Sequence, residues 1–126
     1  MAAPNIVNVT SILGKSLLED GLTTGPVQWI TNAAGSNKVL KINSVVAANR
    51  DGTNDSTVTA WIQGIGAGNQ LQFDLAKEIP VEAKTSLVLI SRDTPFYMQE
   101  GTQFVAKSST NSDVSLIISY EEIDDA

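Results

Sequence analysis

Asp51, Asn54 and Asp55 stand close together in "NRDGTNDS", a polar stretch between two apolar runs. Closely spaced side-chain oxygens suit a hard cation such as calcium. A calcium loop also needs a D-x-D-x-D-G run and a Glu to close the shell, and neither is present. The residue types fit a turn better: Asp51-Gly52 supplies its geometry, while Asn54 and Asp55 hydrogen-bond local backbone. "GIGAG", Gly64 to Gly68, invites a phosphate-binding reading. That chemistry places glycines between a strand and a helix N-terminus, whereas "NQLQFDLAKEIPV" follows here with a strand pattern. A connection between strands is the better reading. Carboxylates pair at Glu19-Asp20, Glu121-Glu122 and Asp124-Asp125. Glycosidic acid–base work needs two carboxylates facing across a cleft, whereas neighbours on a strand point to opposite faces.

No His and no Cys occur in the chain. That removes the His-based triad, imidazole or thiolate zinc, and any side chain that ordinarily titrates near neutrality. No catalytic, cofactor-binding or metal constellation is expected, and no cofactor. The reading is not an enzyme.

Eight basic residues face 14 acidic ones, for a net charge of −6. Phosphate backbones are bound by clustered Lys and Arg. The lysines here are scattered and only Arg50 and Arg92 are arginines, so direct nucleic-acid binding is not expected. No apolar run reaches the length of a membrane span. The N-terminus lacks the basic and apolar regions of a secretory signal. Charged residues make up 17% of the chain, below the roughly 25% of ordinary soluble domains. A neutral polar surface of Thr, Ser, Asn and Gly suits packing against neighbours.

The elements that must position these residues are strands. "FDLAKEIPV" puts Phe73, Leu75, Ile79 and Val81 on one face, with Lys77 the exception. Pro80 has no amide donor, which places its strand at an edge or bend. "TVTAWIQ" alternates as well. "SLVLIS" and "VSLIISY" are continuous apolar runs that suit strands covered on both faces. Turn signals such as "TTGP", "NAAGSN", "RDTP" and "SSTNSD" separate the runs at sandwich-like spacing. About eight strands follow, near 5–13, 26–32, 38–48, 56–63, 71–81, 85–91, 102–108 and 113–122, with a short extended piece at 96–99. "GKSLLED" could form a single helical turn that Gly21 stops. The expected fold is all-β: one antiparallel β-sandwich over residues 1–126, jelly-roll-like or immunoglobulin-like. A short N-terminal arm (1–8) and an acidic C-terminal tail (121–126), mobile or docked on a neighbour, flank it.

Trp61 shares its strand face with Thr57, Thr59 and Gln63, opposite Val58, Ala60 and Ile62. A Trp on a Thr-lined face is either an interface anchor or part of a second core layer. Trp61, Thr57, Thr59 and Gln63 are therefore candidate interface residues. Asn5 and Ile6 join them, because the arm can pair with its own sheet or a neighbour's.

"MAAPNIVNVTSILGK", "NAAGSNKVLKINSVVAANRDGTN", "IPVEAKTSLVLISRDTPFYMQEG" and "SYEEI" carry a resemblance to small virion structural proteins of tailed phages, notably marine and cyanobacterial ones. It runs nearly end to end and is weakest from Trp61 to Gln72. These are strand and turn signatures, so no functional residues are carried over. The resemblance implies a non-enzymatic component of a phage particle, assembled in the host cytoplasm. Within that class the favoured expectation is a capsid decoration or cement protein whose partner is the major capsid protein or another virion protein. Repeated copies imply a homo-oligomer, with a trimer suited to local three-fold sites of a capsid lattice. A neck, tail or fibre-associated component is the alternative. A carbohydrate-binding adhesion module, with Trp61 and the "GIGAGN" loop as a shelf, is the further one.

Overall fold

The period-two runs become strands in two antiparallel sheets. A computed structural model describes residues 11–65, 72–91 and 93–124. Among them the strands are β1 (Ser11–Glu19), β2 (Val27–Asn32), β3 (Lys38–Asn49), β4 (Ser56–Gly64), β5 (Gln72–Val81), β6 (Ser86–Ile90), β7 (Phe96–Met98), β8 (Thr102–Ser108) and β9 (Val114–Asp124). One sheet has the order β1-β9-β3-β6, with β7 also paired to β3, and the other the order β2-β8-β4-β5.

This order selects between the two expected topologies. The early strands pair with the late ones in reverse: β1 with β9, β2 with β8, β3 with β6 and β4 with β5. That is one long antiparallel ribbon. Rolling it sets β9 beside β3 and β8 beside β4, which closes each sheet. The result is a double-sheet jelly roll, not an immunoglobulin-like sandwich.

The core lies between the sheets. Ile42, Val45, Leu116 and Ile118 from the first meet Ile30, Val58, Phe104 and Ala106 from the second. Each large side chain buried this way contributes about 1.5–3 kcal/mol relative to exposure.

Four expectations are corrected. "GKSLLED" belongs to β1 rather than a helical turn, because pairing with β9 continues from Ser11 to Glu19 and supplies its backbone with partners. Neither "SLVLIS" nor "VSLIISY" is covered on both faces: β6 is an edge strand with Val88 57% exposed, and β9 leaves Ile117 46% exposed on the outer side of its sheet. The first strand reaches Glu19 rather than ending near residue 13. Glu121 to Asp124 are no loose tail, since they lie within β9 between β1 and β3, with Ile123 buried. The expected strand portion at residues 5–10, the arm 1–8, and Asp125 and Ala126 lie outside the described residues.

β5 is the edge strand that Pro80 requires. Its ladder with β4 slips between Val58 and Ala60 and again between Ala60 and Trp61, each time with an extra residue on β5. Glu78 takes φ 50° at the first slip and donates its amide to Thr59 Oγ1 at 3.0 Å. Bulges of this kind twist an edge away from unwanted pairing. They also break the simple alternation read for this strand: Ala76 rather than Lys77 takes the buried place opposite Ala60, while Phe73 and Ile79, opposite Ile62 and Val58, stay exposed along the open edge.

Candidate interaction surfaces

The polar loop turns its oxygens on itself. Asp51 Oδ1 accepts from the Thr53 amide at 2.8 Å, the Asn54 amide at 3.1 Å and the Thr53 hydroxyl at 3.1 Å. Asn54 Nδ2 donates to Asp51 Oδ2 at 3.3 Å, and Asp55 Oδ1 accepts from the Ala83 amide at 3.0 Å. The Thr53 and Asn54 amides, then the Asn54 side chain, lower the Asp51 pKa from 3.8 to about 2. Asp51 holds the turn, while Asn54 and Asp55 do not bond local backbone as expected: Asn54 reaches the Asp51 carboxylate and Asp55 ties the loop to Ala83 before β6. No cluster of three metal-ligating side chains occurs among the described residues.

Two buried asparagines do comparable work at strand ends. Asn32 Nδ2 donates to the carbonyls of Lys38 and Met98, both at 3.0 Å, while its Oδ1 accepts from Ser36 Oγ at 2.6 Å. Asn49 Nδ2 donates to the carbonyls of Asn54 and Val81, and its Oδ1 accepts from the Asp51 amide. Neither stood out in the sequence, because a single Asn in an apolar run gives no sign of which backbone groups will surround it.

A cleft of about 330 Å³ opens beside β2, lined by Trp29, Asn32, Lys38, Leu40, Tyr120 and Glu122 among others. Its one carboxylate, Glu122, is ion-paired with Lys15 at 3.2 Å and Lys38 at 3.5 Å. Its Asn32 is fully engaged. The second carboxylate that glycosidic chemistry needs does not line it.

Trp61 faces away from the inter-sheet core, as alternation predicts, yet is only 7% exposed. Its Nε1 donates to Gln63 Oε1 at 2.8 Å, and Gln63 Nε2 donates to Gln103 Oε1 at 2.9 Å. Thr59 is buried with its hydroxyl bonded to the Glu78 amide. Thr57 and Gln63 stay partly accessible. The structure thus places the four on one sheet face, with Trp61 and Thr59 offering little free surface. Asn5 and Ile6 lie outside the described residues, as does most of the "GIGAGN" loop.

The larger free surface is on the other sheet. Register places Leu18, Ile117, Val46 and Val88 in one row across β1, β9, β3 and β6, pointing outward. Leu18 is 73% and Ile117 46% exposed. Ser16, Ser119 and Ser44 form the row on one side, and Ser115, Ala48 and Ser86 the row on the other. No strand residue in these three rows is ionisable; at the rim, just past β1, Asp20 lines a shallow depression with Leu18, Ser115 and Ile117. No single run shows this face in the sequence: it exists only once the register aligns four separate segments.

No protein-family model and no curated protein matches this sequence. Solved structures do share its fold. A chain of the T13 viral particle of infectious bursal disease virus has a TM-score of 0.51 at 7% identity, covering 93% of this chain and 32% of that one. A chain of the Gx strain of the same virus also has 0.51, at 11% identity, covering 91% and 32%. A subunit of the disulfide-linked pili that form Bacillus endospore appendages has 0.51 at 13% identity, covering 92% of this chain and 90% of that one. This chain thus spans about a third of the viral chains and nearly all of the pilus chain. At such identities the likeness is one of fold: the chain is an all-β jelly roll of the architecture also found in viral-particle and pilus proteins.

Proposed function

We propose that this protein is a non-enzymatic structural component of a tailed-phage particle, acting as a capsid decoration protein that binds the outer shell and braces contacts between capsomers. The observation that carries the reading is where the exposed apolar side chains lie. Leu18, Ile117 and Val88 lie on the outer face of one sheet, and Phe73 and Ile79 on the bulged edge of the other. Sheet faces and edges are where a rigid sandwich packs on neighbours. The sequence resemblance to phage virion proteins points the same way. The partner is then the major capsid protein or another virion protein, and the place of action the virion.

The shell-facing side is the β2-β8-β4-β5 sheet with its β5 edge. Thr57 and Gln63 supply polar contacts there, and Phe73 an apolar one. Trp61 and Thr59 brace that face from beneath, and the arm with Asn5 and Ile6 extends the contact. Copies gather as a homo-oligomer on the shell, where three-fold lattice sites suit a trimer of shell-bound copies. The pilus likeness, which spans nearly the whole of both chains, favours a second reading in which the protein repeats along a neck, tail or fibre. This chain has no Cys, so any such array would be held without disulfides.

Quantitative mass spectrometry of purified virions, referenced to the major capsid protein, tests the proposal. Hundreds of copies in a simple ratio to the capsid subunit are expected. A count of roughly a dozen or fewer, matching one ring, would move the protein to the neck, tail or fibres.

A further inference from the structure

We infer that the outer face of the β1-β9-β3-β6 sheet is a two-fold contact surface for a second copy of this chain, with β9 of one copy lying over β3 of the other. The strand residues of the three rows are uncharged, which makes the face self-compatible, and an axis between β9 and β3 sets the Asp20 carboxylates at its rim on opposite corners of the contact. Each copy carries a net charge of −6, so two copies can approach closely only where carboxylates are absent or answered.

The next row outward provides the answer. Gly14, Glu121, Lys41 and Tyr97 align across β1, β9, β3 and β7. Lys41, Ser44, Ser119 and Glu121 line one shallow depression, which confirms that they share this face. Glu121 and Lys41 are direct cross-strand neighbours, yet the ion pairs among the described residues join Glu122 instead, to Lys15 and Lys38. A two-fold axis parallel to the strands, between β9 and β3, reverses every row upon itself. Glu121 then faces Lys41 of the second copy, and Lys41 its Glu121. Ile117 meets Val46, and Leu18 meets Val88. Ser119 meets Ser44, so hydroxyl faces hydroxyl. Tyr97, 50% exposed, falls over Gly14, where a Cβ would meet nothing within 4 Å. An axis running along the rows would instead swap them and leave Glu121 without its lysine, so charge selects the first arrangement. The twist of stacked sheets, about 30°, moves the corner pairs apart and preserves the central ones.

The size of the face sets the strength. Four strands at about 4.8 Å spacing and four rows at about 6.8 Å cover about 500 Å² per copy. Two such faces bury about 1,000 Å² in all, near the lower limit for a specific contact. A weak, concentration-dependent dimer is the expected result, strengthened where copies are held side by side.

Sedimentation of the full chain from about 1 µM to about 1 mM tests this, a range suited to a contact of this size. Wild type should shift from monomer to dimer. Glu121→Lys or Lys41→Glu alone should weaken the dimer about tenfold or more, and the two together should restore it. Far-UV circular dichroism checks that each variant is folded. Ile117→Asp, placed outward and clear of the core, is the substitute where a charge reversal misfolds, and it should abolish the dimer. Monomer throughout, a trimer, a dimer unmoved by these changes, or one weakened by both single reversals and not rescued by the pair would overturn the inference. The measurement uses free protein, so it stands or falls apart from the shell-binding proposal.

Discussion

Replacing Asn32 with alanine removes a clasp that joins three segments. The amide group holds the Lys38 carbonyl where β3 begins, the Met98 carbonyl where β7 ends, and the Ser36 hydroxyl in the turn between β2 and β3. Alanine leaves the Met98 carbonyl without this donor in a buried place, and the Lys38 carbonyl in a partly buried one. A buried polar group that loses its partner costs about 1–3 kcal/mol, and a partly wetted one less. The loss should therefore be about 2–4 kcal/mol, a large share of the roughly 5–15 kcal/mol typical of a domain. Urea unfolding followed by tryptophan fluorescence reads this directly. With a slope of about 1–3 kcal/mol per molar urea, the midpoint should fall by roughly 1–3 M. Ser36→Ala removes only the accepted bond and should cost about 1 kcal/mol. A loss below about 0.5 kcal/mol for Asn32→Ala, or one no larger than that of Ser36→Ala, would refute the clasp.

Three further outcomes follow from other parts of the fold. The Asp51 carboxyl titrates lower in the folded chain than its ordinary 3.8, at about 2, so its contribution is complete above 3.8 and is lost as pH falls through about 2. The stability gap between wild type and Asp51→Asn should narrow as pH drops across that window; a constant gap in urea midpoints would contradict the turn geometry. Millimolar calcium should leave the melting temperature of the wild type unchanged, whereas a clear rise would restore the cation reading of this loop. Gly21→Ala would put a Cβ 2.9 Å from Ser112 Cα, a backbone atom, and should cost about 1–3 kcal/mol, seen as a melting point lower by at least about 3 °C.

The sequence by itself determined the class of fold. Alternation in "TVTAWIQ", the branched apolar runs and the regular turn signals are local properties, and they survive because a strand's two faces follow from its own residues. The edge position of β5 was legible for the same reason, since Pro80 lacks a donor wherever it sits. The Asp51 turn was legible too, because its partners lie within three residues of it.

Only the tertiary structure decided the rest. "GKSLLED" became strand because β9, a hundred residues later in sequence, offered it a ladder. Jelly roll was separated from immunoglobulin-like topology by which distant strands became neighbours. Trp61 faced outward as alternation predicts, yet its low exposure follows from its surroundings in the folded chain rather than from its own strand. The uncharged face of the first sheet lies furthest from sequence reach. Leu18, Val46, Val88 and Ile117 belong to four separate segments, and pairing register alone, a long-range property, sets them in one row.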